Sequence, residues 1–260
     1  GFSAALADTI KRANTAGILF VCAAGNEATD SDSVPNFPSG YEVANVISVG
    51  AMTRSNFQAG FSNYGRRSVD VFAPGDGILS TTPGNSYAAF SGTSQASPMV
   101  AGIAGLILAA HPEATVPELK ARILGSVQKE GFASSLCLTG GRVDAQAAIR
   151  SESGAPATVS DFRLTTVSRS TIALAWTAVG DDGTTGTAAY YDLRWSTDEI
   201  TTSSFDVANQ ISDTRVPLRA GETETAVIKG CFAEGQAIQV ALRVYDKTGN
   251  RSQSSTLGAE

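Results

Sequence analysis

The chain has 260 residues, 42% of them hydrophobic and 17% charged, and a formal net charge of −6. This composition excludes a largely disordered chain, and the length favours two domains. The 19 Lys and Arg residues are scattered, so neither nucleic acid nor an anionic membrane surface is an expected partner. The longest apolar run, residues 99–110, falls short of the roughly 20 residues that cross a bilayer, so no membrane span is predicted.

The first predicted element is a helix at residues 3–16. Ser3 is placed to be its N-cap and Gly17 to be its stop. Its predicted buried face consists of Leu6, Ile10 and Ala13. Residues 18–24 then form a continuous apolar run, which is typical of a strand in a parallel sheet because both of its faces must be covered.

Further strands and helices are predicted to alternate up to residue 150. Two more strands are predicted at 43–51 and 68–73. A helix at 97–110 is apolar nearly all round and is therefore expected to be buried. Thr115 and Glu118 have the spacing of a capping box, and the next helix is predicted to bury Leu119, Ile123 and Val127. This order predicts an α/β domain over residues 1–150.

The pattern changes after residues 151–156, which have the composition of a linker. From residue 157 to 260 apolar residues alternate with a period of two and are separated by turn clusters, which predicts an all-β, immunoglobulin-like sandwich. The alternating apolar positions are Phe162 and Leu164; Ile172, Leu174 and Trp176; Tyr191, Leu193 and Trp195; and Ile238, Val240, Leu242 and Val244.

Ser94 has two interpretations. It precedes an apolar helix, where a serine is commonly only an N-cap. However, Gly92 and other small residues leave its side chain accessible, and a helix N-terminus offers backbone N–H groups and positive potential to a developing oxyanion. Ser94 is therefore also a candidate nucleophile.

Asn26 follows a predicted parallel strand directly. Gly-Asn after a strand is an ordinary turn, but the carboxyl ends of such strands are also where open α/β sheets place their sites. The Asn26 amide is thus a candidate donor to the oxyanion that the Ser94 N–H would bind.

These segments together resemble the subtilisin-like serine proteases, or subtilases. The similar stretches are A23-A24-G25-N26, V71-F72-A73-P74-G75 and G92-T93-S94-Q95-A96-S97-P98, and the last matches every fixed position of the family's G-T-S-x-A-x-P motif. The resemblance covers residues 1–150, as the C-terminal part of a catalytic domain with a partial subtilisin-like parallel sheet. It implies a serine endopeptidase acting on protein or peptide substrates.

The resemblance also implies roles for individual residues. Ser94 would be the nucleophile and Asn26 the side-chain oxyanion donor. Part of the wall of the pocket for the residue before the scissile bond would consist of Ala23, Ala24 and Gly25. Asn36 aligns near the base of that pocket. Met99 stands where many members have a histidine that is not the catalytic base.

The only histidine, His111, is predicted to end the apolar helix. It lies about 25 Å along the helix axis from Ser94 at about 1.5 Å per residue, too far to act as a general base. Subtilases have the order Asp, His, Ser, so the first two are expected in a preceding N-terminal part of the domain. The 260 residues alone are expected to be inactive, and residues 1–150 to be poorly stable with an unpaired sheet edge.

The sequence has features in common with two other classes of protein. An adhesion or binding protein with a degenerate protease-like domain would have a replaced catalytic histidine in the preceding sequence. An α/β-hydrolase esterase conflicts with Ala96, which stands where that family's G-x-S-x-G motif needs its second glycine.

The second domain resembles a fibronectin type III module in the stretches T171-I172-A173-L174-A175-W176 and Y191-D192-L193-R194-W195-S196. It is expected to be a spacer, and the alternative is a module that binds substrate, polysaccharide or the cell surface. Family habit implies a secreted or cell-surface location. No cofactor is required for the chemistry, and although many subtilases bind structural calcium, the sequence contains no clear ligand cluster. Cys22 is expected in the core, whereas Cys137 and Cys231 are candidates for a disulfide between the domains.

Overall fold

The computed structural model describes residues 1–150, 154–168, 170–211, 216–229 and 237–259. Contacts divide the chain into two compact units, Gly1–Arg150 and Ser151–Glu260. Residues 151–153 of the predicted linker lie outside the described residues.

The first unit alternates helices and strands, as predicted. Its helices are α1 (Ala4–Thr15), α2 (Thr93–Ala110), α3 (Val116–Gly125) and α4 (Ala145–Ala148), with a 3-10 helix at Gly131–Ser135. Its strands are β1 (Phe20–Ala23), β2 (Val46–Met52), β3 (Val71–Pro74), β4 (Ile78–Thr82), β5 (Ser86–Phe90), β6 (Gln128–Lys129) and β7 (Gly141–Arg142).

A five-stranded sheet in the order β1-β2-β3-β7-β6 forms the centre of this unit. The strands from β1 to β7 in that order are parallel, and β6 pairs antiparallel with β7. Strand β1 lies at one edge, and β4 and β5 form a separate hairpin. The three predicted strands are present but begin two to three residues late; before β2, for example, Val46 N–H donates to the Val43 carbonyl in a turn.

Helix α1 begins as predicted but buries a different face. The Ser3 hydroxyl caps it by accepting from the Leu6 N–H, and Ile10 is buried. The prediction for Leu6 is wrong, because its side chain is 41% exposed while Ala7 is buried in its place. Ile10 lies between Ala7 and Leu6 around the helix, three positions from the first and four from the second, and the buried face extends only to the Ala7 side.

Helix α2 starts four residues earlier than predicted, at Thr93, with Gly92 as its N-cap. One face packs on β1, β2 and β3. The buried residues on this face are Thr93, Ala96, Val100, Ile103, Ala104 and Ile107. The prediction of burial all round is wrong, since Met99 is 39% and Leu106 is 53% exposed. An apolar composition does not tell which faces of a helix are covered, and no element of residues 1–150 covers the face that carries Met99 and Leu106.

By length and composition alone α2 could also cross a membrane, but the core helices of soluble proteins have the same length and composition.

Helix α3 has the predicted capping box. Glu118 Oε2 accepts from the Thr115 N–H (2.7 Å) and the Thr115 hydroxyl (2.9 Å). Leu119 and Ile123 are buried in the core, as predicted, and Val127 packs against it partly buried.

A buried lysine, Lys120, joins α3 to the sheet. Lys120 Nζ donates to the carbonyl of Ala44 (2.8 Å), just before β2, and to that of Val46 (2.9 Å), the first residue of β2. Its charge acts on the buried Asp70, whose carboxylate accepts from the Ser48 N–H at 2.7 Å. Burial raises the pKa of Asp70, while Lys120 and this hydrogen bond oppose the rise. The ammonium group therefore compensates a carboxylate that burial disfavours.

The second unit contains two antiparallel sheets. Its strands are β8 (Arg163–Ser168), β9 (Thr171–Thr177), β10 (Tyr190–Ser196), β11 (Asn209–Ile211), β12 (Thr223–Lys229), β13 (Ile238–Tyr245) and β14 (Ser255–Ala259), with a 3-10 helix at Phe205–Val207. The described strands pair as β11-β10-β13-β14 and as β12-β9-β8. Both sheets contribute to one core. All predicted alternating apolar positions are buried except Leu164 and Trp195, which are partly buried against that core.

Cys22 and Cys137 are free, buried thiols, whereas Cys231 lies outside the described residues. Burial, with a smaller contribution from Asp70, raises the pKa of Cys22 to about 12. Burial likewise raises the pKa of Cys137. Both thiols are therefore protonated at neutral pH.

Candidate active site

The candidate site lies where three parallel strands end at the same edge of the sheet. After β1, the Ala24 N–H donates to the Val49 carbonyl at 3.0 Å. After β3, the Gly75 N–H donates to the Met52 carbonyl at 3.0 Å, and the Gly92 N–H donates to the Gly75 carbonyl at 2.8 Å. These contacts bring the segment after β1 and the start of α2 together at the position that open α/β sheets use for sites.

Asn26 is anchored through its side-chain oxygen. Its Oδ1 atom accepts from the Thr93 N–H (2.9 Å) and from the Thr93 hydroxyl (3.0 Å). The same hydroxyl oxygen accepts from the Gly25 N–H at 3.1 Å. Since both bonds from Thr93 go to the oxygen, the Nδ2 atom of Asn26 remains available as a donor. Thr93 is fully buried and Asn26 is exposed.

The Asn26 amide and the Ser94 backbone border the same small volume. Asn26 Nδ2 and Ser94 N each lie 3.6 Å from the point that a Cβ atom on Gly92 would occupy. Gly92 has no side chain, so besides these two N–H donors only Gln95 Oε1, the end of a flexible side chain, comes close to that point, at 2.8 Å. Ser94 is the second residue of α2 rather than its N-cap, and its side chain is exposed.

The four predicted pocket residues lie together beside Asn26. Ala24 is fully buried, and its carbonyl accepts from Asn36 Nδ2 at 3.0 Å. Gly25 has a φ of 110°, and a Cβ there would lie 2.0 Å from Asn36 Nδ2. Only glycine fits this position, for conformational and steric reasons alike. Ala23 is the last residue of β1, half-buried, and pairs with Val49.

Asn63 is a site residue that sequence reasoning missed. Its buried amide donates to the Ala24 carbonyl (3.1 Å) and to the Glu27 carboxylate (2.8 Å). The Glu27 carboxylate in turn accepts from the Asn26 N–H at 2.9 Å. No sequence pattern connects positions 26 and 63, so only the fold brings them together. The sequence analysis also missed Thr93. Its position could have been a signal, because it is the fixed threonine between Gly92 and Ser94 in the motif.

His111 lies away from the site. It is the C-cap of α2, and its ring Nε2 is 3.2 Å from the Ile149 carbonyl. The whole of α2 separates it from Ser94, as the sequence predicted. The described residues also contain no group of three His, Cys, Asp or Glu side chains that could hold a metal ion.

Comparison with known proteins gives matches to the first unit. The sequence model of the subtilase family matches residues 1–141. Subtilisin E of Bacillus subtilis (strain 168) is 43% identical over 122 residues, which is 46% of this chain and 31% of that protein. Subtilisin of Bacillus pumilus is 40% identical over 147 residues, or 56% of this chain and 52% of that protein. The chain thus spans about a third to a half of the curated relatives that it matches.

Solved structures resemble the same unit. The subtilase cytotoxin SubAB assembly aligns with a TM-score of 0.52 at 27% identity, covering 57% of this chain and 54% of that one. The prenylagaramide maturation protease PagA aligns with a TM-score of 0.50 at 26% identity, covering 57% and 55%.

Proposed function

The chain belongs to the subtilase family, and from this membership and the site geometry we propose that it carries the nucleophile and oxyanion half of a serine endopeptidase active site. The observation that carries the proposal is that Asn26 Nδ2 and Ser94 N flank the side-chain-free face of Gly92, next to the exposed Ser94 side chain. Two fixed N–H donors beside a serine hydroxyl are the arrangement that acyl transfer requires. Subtilase chemistry needs no cofactor.

In the proposed reaction Ser94 Oγ attacks the carbonyl carbon of a peptide bond and gives its proton to a base. The carbonyl oxygen becomes an anion, which the Asn26 Nδ2–H and Ser94 N–H stabilise. The C–N bond breaks as the base returns the proton to the leaving amine, and water then hydrolyses the ester on Ser94. Ala23, Ala24, Gly25 and Asn36 line the pocket for the residue before the scissile bond in a protein or peptide substrate.

The base must come from outside this chain, because His111 stands at the far end of α2. We assign residues 1–150 to the C-terminal part of a catalytic domain in a longer polypeptide, the parent protein. A preceding part, with the catalytic Asp and His, would cover the edge of β1 and the exposed face of α2. Alone, the 260 residues are then inactive, and α2 is a core helix rather than a membrane span.

The remaining assignments concern the second unit and location. Residues 151–156 are a linker and 157–260 a fibronectin type III-like spacer, a proposal supported by two antiparallel sheets around one core. The parent protein is secreted or on the cell surface, like typical subtilisins, and no structural calcium is assigned to this chain.

A fluorophosphonate probe tests the nucleophile. The parent protein should be labelled, and Ser94→Ala should abolish both labelling and peptide hydrolysis. Ser97→Ala is the matched control, since Ser97 lies one turn further along α2, and should keep both. Labelling that survives Ser94→Ala would contradict the assignment. The 260-residue chain should show negligible hydrolysis.

A further inference from the structure

Asn63 is a buried amide that binds one loop, residues 24–29, through five side-chain hydrogen bonds. Its Oδ1 atom accepts from the Glu27 N–H (2.9 Å), the Thr29 N–H (3.1 Å) and the Thr29 hydroxyl (3.2 Å). Its Nδ2 atom donates to the Ala24 carbonyl (3.1 Å) and to Glu27 Oε2 (2.8 Å). Asn63 is only 1% exposed, its bond to the Ala24 carbonyl is buried, and the other four bonds are partly buried. The loop is thus wrapped around a single side chain.

Asn26 lies in the middle of this loop and is connected to Asn63 through the neighbouring residues. The Asn63 N–H donates to the Gly25 carbonyl at 2.9 Å, on one side of Asn26. On the other side, the Glu27 carboxylate that Asn63 holds also accepts from the Asn26 N–H at 2.9 Å. Thr93 fixes the side chain of Asn26, whereas Asn63 fixes the backbone that carries it.

We propose that Asn63 is a positioning residue for the oxyanion donor Asn26, controlling turnover without touching the substrate. This inference rests on the proposed function. A donor stabilises a developing oxyanion only if it is held in place before the reaction, and a displacement of about 1 Å costs about 10²-fold in rate. Thr93 holds the Asn26 side-chain oxygen from α2, and the Asn26 backbone fixes the other end of that side chain, so the two anchors together decide where Nδ2 lies.

An amide is the side chain that meets this set of partners. The loop presents three donors and two acceptors to position 63, and Asn offers an acceptor oxygen and two N–H donors in one plane. Aspartate would keep the acceptor function, lose both donors and place a second carboxylate against Glu27. Alanine would lose all five bonds.

A double-substitution cycle in the parent protein tests the proposal. Asn63→Ala should lower kcat by about 10²-fold with little change in KM. In the Asn26→Ala background the same substitution should have almost no further effect on kcat, because the donor that it positions is gone. A merely structural role would instead lower the amount of folded protein equally in both backgrounds.

Asn45→Ala is the matched control. Asn45 is also a fully buried amide, and its Nδ2 donates to the carbonyls of Ile10 (3.1 Å) and Ile18 (2.9 Å), which belong to α1 and the entry to β1. Its loss should lower stability without lowering kcat per folded molecule.

A spectroscopic readout keeps the test independent of activity and of gross unfolding. The side-chain amide signal of Asn26 in a ¹⁵N NMR spectrum is identified by its loss in Asn26→Ala. The Asn26 signal should shift or broaden in Asn63→Ala and stay in place in Asn45→Ala. If the alanine variant at position 63 does not fold, the near-isosteric Asn63→Asp takes its place and should shift or broaden the signal too. An unmoved Asn26 signal, or an equal kcat loss in both backgrounds, overturns the inference. A parent protein without Ser94-dependent turnover refutes the proposed function, while the NMR comparison still decides the role of Asn63.

Discussion

The Asn26 side-chain oxygen accepts both the N–H and the hydroxyl of Thr93, at 2.9 and 3.0 Å. The residue before the candidate nucleophile therefore determines which atom of the Asn26 amide is free to bind a ligand. One residue pair thus links the loop after β1 to the first turn of α2.

Asn26→Ala in the parent protein is expected to reduce kcat with little change in KM, because its Nδ2–H would bind the oxyanion mainly in the transition state. The expected loss is about 10²- to 10³-fold, the scale measured when the corresponding donor is removed from subtilisin itself. Thr93→Val removes one of the two hydrogen bonds to Asn26 Oδ1 and should give a smaller loss of kcat. Thr93→Ser keeps the hydroxyl and should have the kcat of the unmodified protein. Steady-state kinetics on a chromogenic peptide measures all three, and an unchanged kcat in Asn26→Ala would remove Asn26 from the mechanism.

Gly92→Ala is expected to impair turnover while leaving the fold intact. The new methyl group would lie 3.6 Å from both Asn26 Nδ2 and Ser94 N, in the volume where the oxyanion would bind. It would also lie 2.8 Å from Gln95 Oε1, the end of a flexible side chain that can move. Gly60→Ala is the control, because no atom lies within 4 Å of its added Cβ. Equal kcat/KM in the two variants would contradict this interpretation of Gly92.

Lys120→Met is expected to destabilise the first unit strongly. The substitution removes the cation that compensates the buried Asp70 and leaves the carbonyls of Ala44 and Val46 without their donor. Leaving a buried charge without its compensating partner costs about 3–5 kcal/mol in the free energy of unfolding. Urea denaturation of the parent protein measures the change. Lys11→Met is the control, with a side chain 62% exposed, and should change stability by no more than about 0.5 kcal/mol.

Cys22 is expected to resist thiol reagents in the folded protein, since its pKa of about 12 leaves almost no thiolate at pH 8. A group whose pKa is raised from 9.0 on folding stabilises the fold below pH 9 and loses that contribution as the pH rises towards 12. Cys22→Ala should therefore weaken the loss of stability between pH 9 and 11, as measured by denaturation at each pH. Mass-resolved labelling at pH 8 should modify Cys22 only after urea unfolding, and rapid native labelling would contradict its burial.

The parts of the site that the sequence predicted are those encoded by contiguous residues. Ser94 lies within a seven-residue motif, and Asn26 directly follows an apolar strand. Asn63 was missed because its partners lie 34 to 39 positions away and no local pattern marks a buried amide. The exposed side of α2 was mispredicted for a related reason, since a small, apolar helix has the same composition whether one face or all of it is covered.

The start of α2 is held by hydrogen bonds to positions far earlier in the chain. Thr93 bonds to Asn26 across 67 positions, and Gly92 bonds to Gly75 after β3. During synthesis, a growing chain that has not yet reached residue 93 cannot hold the Asn26 amide in its observed orientation. The two donors are therefore assembled only when the sheet closes on α2, so a half-made polypeptide carries Asn26 without the orientation that Thr93 gives it.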